Sequence, residues 1–182
     1  MNITPTRLPG VSLIEPTRHA DDRGFFQEIW NSRSFADHGI IADFMQDNHS
    51  RSHRGVLRGL HHQLVQPQGK LVRVTQGAVF DVAVDIRPDS PSFGRWTGHV
   101  LSAQNRLMMW VPPGFAHGFL SLEDDTDVLY KCTAIYAPAN ERSILWNDPD
   151  IAIQWPLDGQ SPRLSAKDAA APMLADGARV MA

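Results

Sequence analysis

The sequence predicts a mainly β protein, folded as a sandwich or barrel of short strands. Apolar and polar residues alternate with a period of two through the middle of the chain. Clusters of Gly, Pro, Asn, Asp and Ser separate these runs, and only two short segments have a helical composition. The 182 residues, 42% of them hydrophobic, can bury a sizeable core, and we expect residues 1–182 to form one domain.

Four strands can be predicted in the order of the chain. Within residues 79–87 the apolar side chains at positions 80, 82, 84 and 86 share one face, whereas Asp81 and Asp85 share the other. A helix would scatter the same residues around its circumference. Three further strands are predicted at residues 96–102, 107–111 and 128–136, with turns at 88–94, 104–105 and 112–114.

The two helical segments are short. Residues 32–38 follow a possible cap at Asn31 or Ser32 and stop at Gly39. Residues 165–171 contain helix formers after the hydroxyl of Ser165, which can accept from the first turn. After about residue 172 no strong pattern remains, and we expect that tail to be weakly held.

Charge and cysteine content exclude several classes of protein. A net charge of −3 gives no indication of a nucleic-acid-binding protein. A single cysteine, Cys132, allows neither an intrachain disulfide nor a zinc site built on cysteines, as is usual in reducing compartments. The first residues lack the apolar core of a signal peptide, and no run approaches the roughly 18 apolar residues that span a membrane. We therefore expect a cytoplasmic protein.

Titratable side chains gather in three clusters, at residues 21–28, 46–63 and 112–119, and five of the eight histidines lie in the last two. The middle cluster also contains Arg51, Arg54 and Arg58, whose guanidinium groups match the geometry of phosphate oxygens. A nucleotide-linked substrate would use such groups. A solvated basic loop is the alternative.

A metal site is the first chemistry to test. Residues 112–117 (PPGFAH) have the spacing of the second cupin motif. The first cupin motif, however, needs His-x-His and a following Glu. Here His61 and His62 are adjacent, so they point to opposite faces of a strand, and glutamines and then Lys70 follow them. We therefore do not expect a metal site.

Without a metal, acid–base chemistry remains. A histidine inside a barrel can accept a proton near neutral pH. Lys70 can stabilise an enolate oxygen, and Tyr130 can return a proton. Each has a structural alternative, since Tyr130 could belong to the core and Lys70 could be an exposed strand charge.

Eight ordered motifs give the chain a family resemblance from about residue 9 to residue 172. They are DxRGFFxE (21–28), QDNHSRS (46–52), GVLRGLHxQ (55–63), GKLVRV (69–74), FDVAVDIR (80–87), VPPGFAHGF (111–119), LYKCT (129–133) and ERSILWNDPDIAIxWP (141–156). By these motifs the chain resembles the dTDP-4-dehydrorhamnose 3,5-epimerase family of the cupin superfamily.

The resemblance implies a cupin-like jelly-roll barrel with a few short helices, and a homodimer that shares strands. It also implies conversion of dTDP-4-dehydro-6-deoxy-α-D-glucose to dTDP-4-dehydro-β-L-rhamnose, in dTDP-L-rhamnose biosynthesis. Protons leave and return at C3 and C5, both of which lie next to the C4 ketone, so the resemblance implies a site that needs no cofactor. An epimerase of a related keto sugar that acts at C3 or C5 alone is the alternative. A sugar-binding cupin without turnover and a metal-dependent dioxygenase are more distant ones.

Residue roles are implied in the same way. His61 resembles the base, Asp168 its partner in a His–Asp dyad, and Tyr130 the acid, while Lys70 would stabilise the enolate at the C4 oxygen. The substrate-binding set comprises Arg23, Glu28, Gln46, Asp47, Asn48, Arg58, Lys70, His117, Glu141 and Lys167, and candidates for thymine packing are Phe25, Phe26 and Phe119. Most relatives carry Tyr where this chain has His62, which we expect to point away from the substrate.

Overall fold

The computed structural model describes residues 1–178, which form thirteen strands, three short helices and one 3-10 turn. The strands are β1 Asn2–Pro5, β2 Ser12–Glu15, β3 Arg18–Asp21, β4 Gly24–Gln27, β5 Gln46–Ser52, β6 Leu57–Gln63, β7 Lys70–Gln76, β8 Ala78–Asp85, β9 Trp96–Ser102, β10 Met108–Val111, β11 Phe115–Ser121, β12 Thr126–Cys132 and β13 Glu141–Ser143. The helices are α1 Ser32–Ala36, α2 Ala166–Ala169 and α3 Leu174–Ala178, and the 3-10 turn is Pro138–Asn140.

Two antiparallel sheets face each other. One has six strands in the order β1-β2-β10-β7-β12-β5, and the other has five in the order β13-β6-β11-β8-β9. Strands β3 and β4 form a separate hairpin. This arrangement confirms the mainly β prediction and agrees with a cupin-like jelly roll. None of the helices within residues 1–178 has both the length and the apolar character that a membrane crossing requires.

The main core lies between the two sheets. Val72 and Val128 of the six-stranded sheet pack in one cluster with Val79, Leu101 and Phe119 of the five-stranded sheet. Only one end of this interior is filled by apolar side chains, because the strands also turn Lys70, Asp81 and other polar groups inward. Those inward polar groups form the candidate site.

Each sheet is also covered on its outer face. Helix α1 and the residues before β5 cover the six-stranded sheet, where Phe35 belongs to one buried cluster with Leu71 and Trp110. The segment after β13 covers the five-stranded sheet with Ile144 and Trp155. Two outer layers explain why both faces of the central strands β7 and β8 are buried.

The predicted elements agree well with these boundaries. The strand at residues 96–102 is reproduced in full, and the helix after residue 31 begins where Asn31 accepts hydrogen bonds from the backbone of Arg33 and Ser34. The prediction of a strand to residue 136 is wrong at its end, because the chain leaves β12 after Cys132. Beyond residue 172, Leu174 is buried and its N–H donates to the Asp148 carboxylate, while residues 179–182 lie outside the described residues.

An irregularity in β6 decides which of its side chains face inward. The pairing of β6 with β11 shifts register between Arg58 and His61, so that two residues of β6 lie opposite a single residue of β11. Gly59 and Gly118 permit this close approach, since a Cβ on Gly59 would lie 2.6 Å from the Gly118 Cα. As a result Arg58 and His61, three positions apart, border the same cavity.

Candidate active site

Two adjoining cavities open from the interior, and three side chains border both: His61, Lys70 and Tyr130. The Asp168 cavity, of about 410 Å³, is also bordered by Ser50, Val56, Leu57, Arg58, His117, Phe119, Arg163, Leu164, Ser165, Lys167 and Asp168. The Tyr136 cavity, of about 300 Å³, is also bordered by Gln46, Asn48, His62, Gln63, Gln68, Tyr136 and Glu141. Titratable groups predicted for chemistry thus lie where the two cavities meet.

The three shared side chains come from opposite sheets. His61 lies on β6 of the five-stranded sheet, whereas Lys70 and Tyr130 lie on the paired strands β7 and β12 of the six-stranded sheet. A molecule between the sheets is therefore reached by the imidazole from one side and by the phenol and the amine from the other.

His61 and Asp168 form the predicted dyad. Nε2 of His61 lies 2.6 Å from Oδ1 of Asp168, whose side chain is 5% exposed. Burial alone would raise the pKa of Asp168, but the hydrogen bond from His61 and the electrostatic interaction with its ring lower the pKa below its ordinary value. The carboxylate therefore stays ionised and holds Nε2–H, which leaves Nδ1 as the free acceptor.

Asp168 reaches His61 on a strap, which we define as residues 163–174. The strap is tied at its start, where Leu57 N–H donates to the Arg163 carbonyl (3.0 Å), and near its end, where Leu145 N–H donates to the Pro172 carbonyl (2.8 Å). Between them, the hydroxyl of Ser165 caps α2 by accepting from the Asp168 N–H. A residue 107 positions away in sequence is thereby fixed beside the base.

Burial shifts the pKa values of both Tyr130 and Lys70. Burial raises the pKa of the Tyr130 phenol, so this group keeps its proton. Burial also lowers the pKa of the Lys70 ammonium, against the opposing effects of Cys132, Asp81 and Glu141. No salt bridge within the described residues includes Lys70, so an oxyanion in the cavity would supply the negative charge that its ammonium lacks.

His117 lies beside this group and has a carboxylate partner of its own. Its Nε2 is 2.8 Å from Oδ1 of Asp81, and both side chains are almost fully buried. The rings of His117 and Tyr130 have centroids 6.5 Å apart. On the same wall the Arg58 Nε donates to the Ser52 hydroxyl (3.1 Å). Arg58 and His117 thus complete a polar wall around the Asp168 cavity, where the sequence predicted them.

The Tyr136 cavity has a different character, with amides and an aromatic ring. Gln46 donates to Asn48 across 2.9 Å, and the Gln46 carbonyl oxygen accepts from the Tyr136 N–H at 2.8 Å. The Tyr136 hydroxyl donates to Oε2 of Glu141, which also forms an ion pair with Lys167. Neutral amides and a half-exposed phenol ring can bind a planar polar ring such as a nucleobase.

Some predicted site residues do not border either cavity. Arg23 is exposed, and its guanidinium is paired with Asp21 of its own hairpin at 2.6 Å. Glu28 follows the same hairpin and accepts from the Asn31 amide (3.0 Å). Asp47 lies on the outer face of β5, where it is paired with Lys131 at 2.9 Å. The aromatic candidates divide: Phe119 borders the Asp168 cavity, whereas Phe25 and Phe26 are exposed on the hairpin.

Several residues at or behind the cavities received no role from the sequence, among them Asp81, Gln63 and Tyr136. Asp81 was assigned to the polar face of a strand, and its burial between Val79 and Ala83 could have been suspected from their small apolar side chains. Gln63 lies two positions after His61 on β6, which places both on one face. Tyr136 was included in a strand, so its position in a loop beside the cavity was missed.

The described residues contain no group of three or more His, Cys, Asp or Glu side chains that converge as metal ligands would.

Strand alternation predicted that His62 points away from the substrate. In the structure, however, His62 borders the Tyr136 cavity. Its Nδ1 is buried and has no hydrogen-bond partner within residues 1–178.

His62 makes the stability of the fold depend on pH. Burial, reinforced by the positive charges of Lys70 and Arg142, lowers the pKa of His62 to about 4 from the ordinary 6.5. The unfolded chain therefore takes up a proton below pH 6.5, whereas the folded chain resists until about pH 4, and stability is lost across that window. At about 1.4 kcal/mol per pH unit, the loss in the free energy of unfolding should reach roughly 3 kcal/mol at most.

Urea unfolding of wild type and His62→Phe at pH 7 and pH 4.5 measures this loss. The His62→Phe protein should lose less stability, and His53→Gln, which removes an exposed histidine, should behave as wild type; equal losses in all three would contradict the assignment.

Comparison with known proteins agrees with this geometry. The family model described as dTDP-4-dehydrorhamnose 3,5-epimerase matches residues 5–176. A curated relative of that name from Pseudomonas aeruginosa is 54% identical over 97% of each chain. The epimerase structure from Legionella pneumophila in complex with dTDP-4-keto-L-rhamnose is 51% identical, with a TM-score of 0.92, and the match covers 96% of this chain and 93% of that one. A 3'-monoepimerase from Streptomyces bikiniensis in complex with dTDP-quinovose is 39% identical, with a TM-score of 0.90 over 97% and 89% of the two chains.

Proposed function

The chain belongs to the dTDP-4-dehydrorhamnose 3,5-epimerase family, and on that basis we propose how its own residues carry out the reaction. The enzyme is an epimerase that converts dTDP-4-dehydro-6-deoxy-α-D-glucose to dTDP-4-dehydro-β-L-rhamnose. We propose that the keto sugar lies between the two sheets, where His61, Lys70 and Tyr130 border both cavities. The approach of base and acid from opposite sheets is the observation that carries this proposal.

The first step removes a proton. Nδ1 of His61 takes the hydrogen from C3 or C5, and the C–H electron pair moves into the ring to form a C=C bond with C4, leaving an oxyanion at the former ketone. Asp168 stabilises the imidazolium through Nε2–H, and the Lys70 ammonium stabilises the oxyanion. Neither step needs a redox cofactor, because no electrons leave the sugar.

The second step returns a proton to the opposite face. The raised pKa of Tyr130 keeps its phenol protonated until the enolate forms. When the phenol donates to the carbon, the C=C electron pair forms the new C–H bond and the ketone is restored with inverted configuration. The His61 imidazolium then releases its proton to solvent, and the Tyr130 phenolate takes a proton back from solvent. With base and acid restored, the same groups can serve the second carbon, because both carbons lie next to C4.

Solvent deuterium tests the reaction directly. Incubation of the wild-type enzyme with the dTDP-4-keto sugar in deuterated water should introduce deuterium at both C3 and C5, read by NMR at each carbon. Absence of exchange at both positions would overturn the proposal. Exchange at C3 alone would instead favour a C3-specific enzyme, the second candidate that the similarity to the Streptomyces bikiniensis 3'-monoepimerase supports.

The nucleotide end belongs, in this proposal, to the Tyr136 cavity. The phenol ring of Tyr136, 46% exposed, offers a face for thymine, and the amides of Gln46 and Asn48 offer donors and acceptors to its edge. Phe25 and Phe26 could supply a second aromatic face only if they came from another protomer, since they border neither cavity of their own chain.

We propose a homodimer in which the β3–β4 hairpin of one protomer reaches the cavities of its partner. All of β3 and most of β4 are exposed in the single chain, including the apolar rings of Phe25 and Phe26. A two-stranded hairpin without a packed face is only marginally stable in water, so a docking surface is needed. Such docking would also bring Arg23 and Glu28, which are remote from their own site, to the partner's nucleotide.

Mixing two inactive variants tests the dimer. A protomer with Arg23→Ala keeps His61, and one with His61→Asn keeps Arg23, so a mixed dimer has one complete site only if the hairpin acts in the partner. After unfolding and refolding together, an equal mixture should recover about a quarter of wild-type kcat/KM, since half of the dimers are mixed and each has one of two sites. Recovery no greater than the mean of the two variants would show that Arg23 serves its own chain.

We further propose that the enzyme works in the cytoplasm. Cys132, the single cysteine of the chain, is buried and unpaired, which suits a reducing compartment. Cell fractionation should recover the protein with cytoplasmic marker enzymes, and recovery in a secreted fraction would contradict this.

A further inference from the structure

Gln63 is a buried amide whose hydrogen bonds all reach the backbone of two loops. Its side-chain nitrogen donates to the carbonyl of Gln66 (2.9 Å) and, more weakly, to that of Ile135 (3.4 Å). Its side-chain oxygen accepts from the N–H of Ala137 at 2.7 Å. The residue is 5% exposed. These contacts fix the chain on both sides of Tyr136, which lies between Ile135 and Ala137.

The loop that contains Tyr136, residues 133–140, has few other attachments near the aromatic ring. Gln46 accepts from the Tyr136 N–H, and Gln68 donates to the Ala134 carbonyl at 2.8 Å. The ring itself is half-exposed, and its neighbour Ile135 is equally exposed, so apolar packing contributes little to their positions. The ring is attached directly only through its hydroxyl, which donates to Glu141, so the hydrogen bonds of the loop backbone to side chains determine where the backbone that carries the ring lies.

The chemistry of glutamine fits this place better than that of its nearest substitutes. A carboxamide donates and accepts at once, as one carbonyl and one N–H on the loop require. A carboxylate would present a second acceptor to the carbonyls of Gln66 and Ile135, and an apolar side chain would leave the buried loop groups unpaired. In a metal cupin a glutamate follows the motif histidines, whereas here Gln63 follows His61 and binds the loop.

We propose that Gln63 is a positioning residue that holds Tyr136 against the nucleotide and so sets the affinity for the nucleotide half of the substrate. The proposal rests on the proposed function, because it takes the Tyr136 cavity as the nucleotide site. Strand β6 carries both His61 and Gln63, two positions apart on one face. The same strand thereby fixes the reacting end and, through the loop, the nucleotide end of one substrate.

Binding of free dTDP separates this role from catalysis. In the full-length protein, Gln63→Met should raise the dissociation constant for dTDP, measured by calorimetry, by about tenfold, the effect of roughly one lost hydrogen bond to a buried group. KM for the keto sugar should rise with it, whereas kcat should stay at the wild-type value. Gln63→Glu keeps the acceptor for Ala137 and should give a change in the same direction. Gln154→Met is the matched control, since Gln154 also donates to a backbone carbonyl, at 3.0 Å from Ala152, but on an exposed segment that borders neither cavity.

A double-mutant cycle with Tyr136→Ala shows whether Gln63 acts through the aromatic ring. Tyr136→Ala alone should weaken dTDP binding, and Gln63→Met in that background should weaken it no further. Full additivity would overturn the proposal, as would an unchanged dissociation constant in Gln63→Met or in Tyr136→Ala. A fall in kcat with unchanged dTDP affinity would also overturn it, because Gln63 would then act through His61. A wild-type protein that binds dTDP without turning over the keto sugar would refute the proposed reaction and leave this binding test decisive.

Discussion

Replacing His61 with asparagine should lower kcat by about 10³-fold, the usual contribution of a positioned general base, and abolish deuterium exchange at C3 and C5. Asparagine cannot accept a proton from carbon, but it is polar and smaller, so the fold should remain. Asp168→Asn should have an effect of the same kind, since the amide can hold the imidazole in the wrong tautomer and cannot stabilise the imidazolium. Steady-state kinetics and exchange rates measure both.

The adjacent histidine provides the control for this result. His62 is also partly buried and borders the Tyr136 cavity, but it has no carboxylate partner within the described residues. His62→Asn should therefore keep deuterium exchange at the wild-type rate. If His62→Asn stopped exchange and His61→Asn did not, the base would be assigned to the wrong histidine.

Replacing Lys70 with methionine should lower kcat by about 10²- to 10³-fold, because the developing oxyanion loses its positive neighbour. The same change should make the protein more stable. Lys70 is 8% exposed and its charge has no ion-pair partner among the described residues, so removal of that charge relieves a cost of burial. A gain of about 1 kcal/mol would raise Tm by roughly 2–4 °C.

Opposite signs for activity and stability distinguish this account from general damage to the fold. Lys131→Met is the matched control, because Lys131 lies one residue after Tyr130 on β12 but faces outward, where it pairs with Asp47. It should leave kcat unchanged. A Lys70→Met protein that lost activity and stability together would show that Lys70 has a structural role instead.

Strand periodicity predicted the faces of β8 but not their surroundings. Asp81 and Asp85 lie on one face of β8 and Val82 and Val84 on the other, as the alternation requires. Alternation usually places such carboxylates in water, whereas here both are fully buried. Asp81 accepts from His117, and Asp85 accepts from Arg87, Ser90 and Ser92. Whether the polar face of a strand meets solvent depends on the facing sheet, which a single strand does not encode.

Contacts between residues far apart in sequence are the second feature that local sequence patterns cannot predict. The His61–Asp168 pair was expected from family resemblance alone, since no local pattern relates residues 107 positions apart. The spacing of Arg58 and His61 would place them on opposite faces of a regular strand, and only the pairing with β11 reveals the register shift. The neighbourhood of Tyr136 was missed because its aromatic and β-branched neighbours resemble a strand, although the loop is determined by distant glutamines.

Exchange by a Tyr130→Phe enzyme in deuterated water tests the central claim, that protons leave to one sheet and return from the other. His61 is 29% exposed, so its imidazolium can exchange the abstracted proton with solvent and return deuterium to the same face. The account predicts that Tyr130→Phe incorporates deuterium at C3 or C5 with retained configuration and almost no inversion, detected by NMR of the recovered sugar nucleotide. Inversion by Tyr130→Phe at the wild-type rate would contradict the claim, because the proton would then reach the opposite face from some other donor.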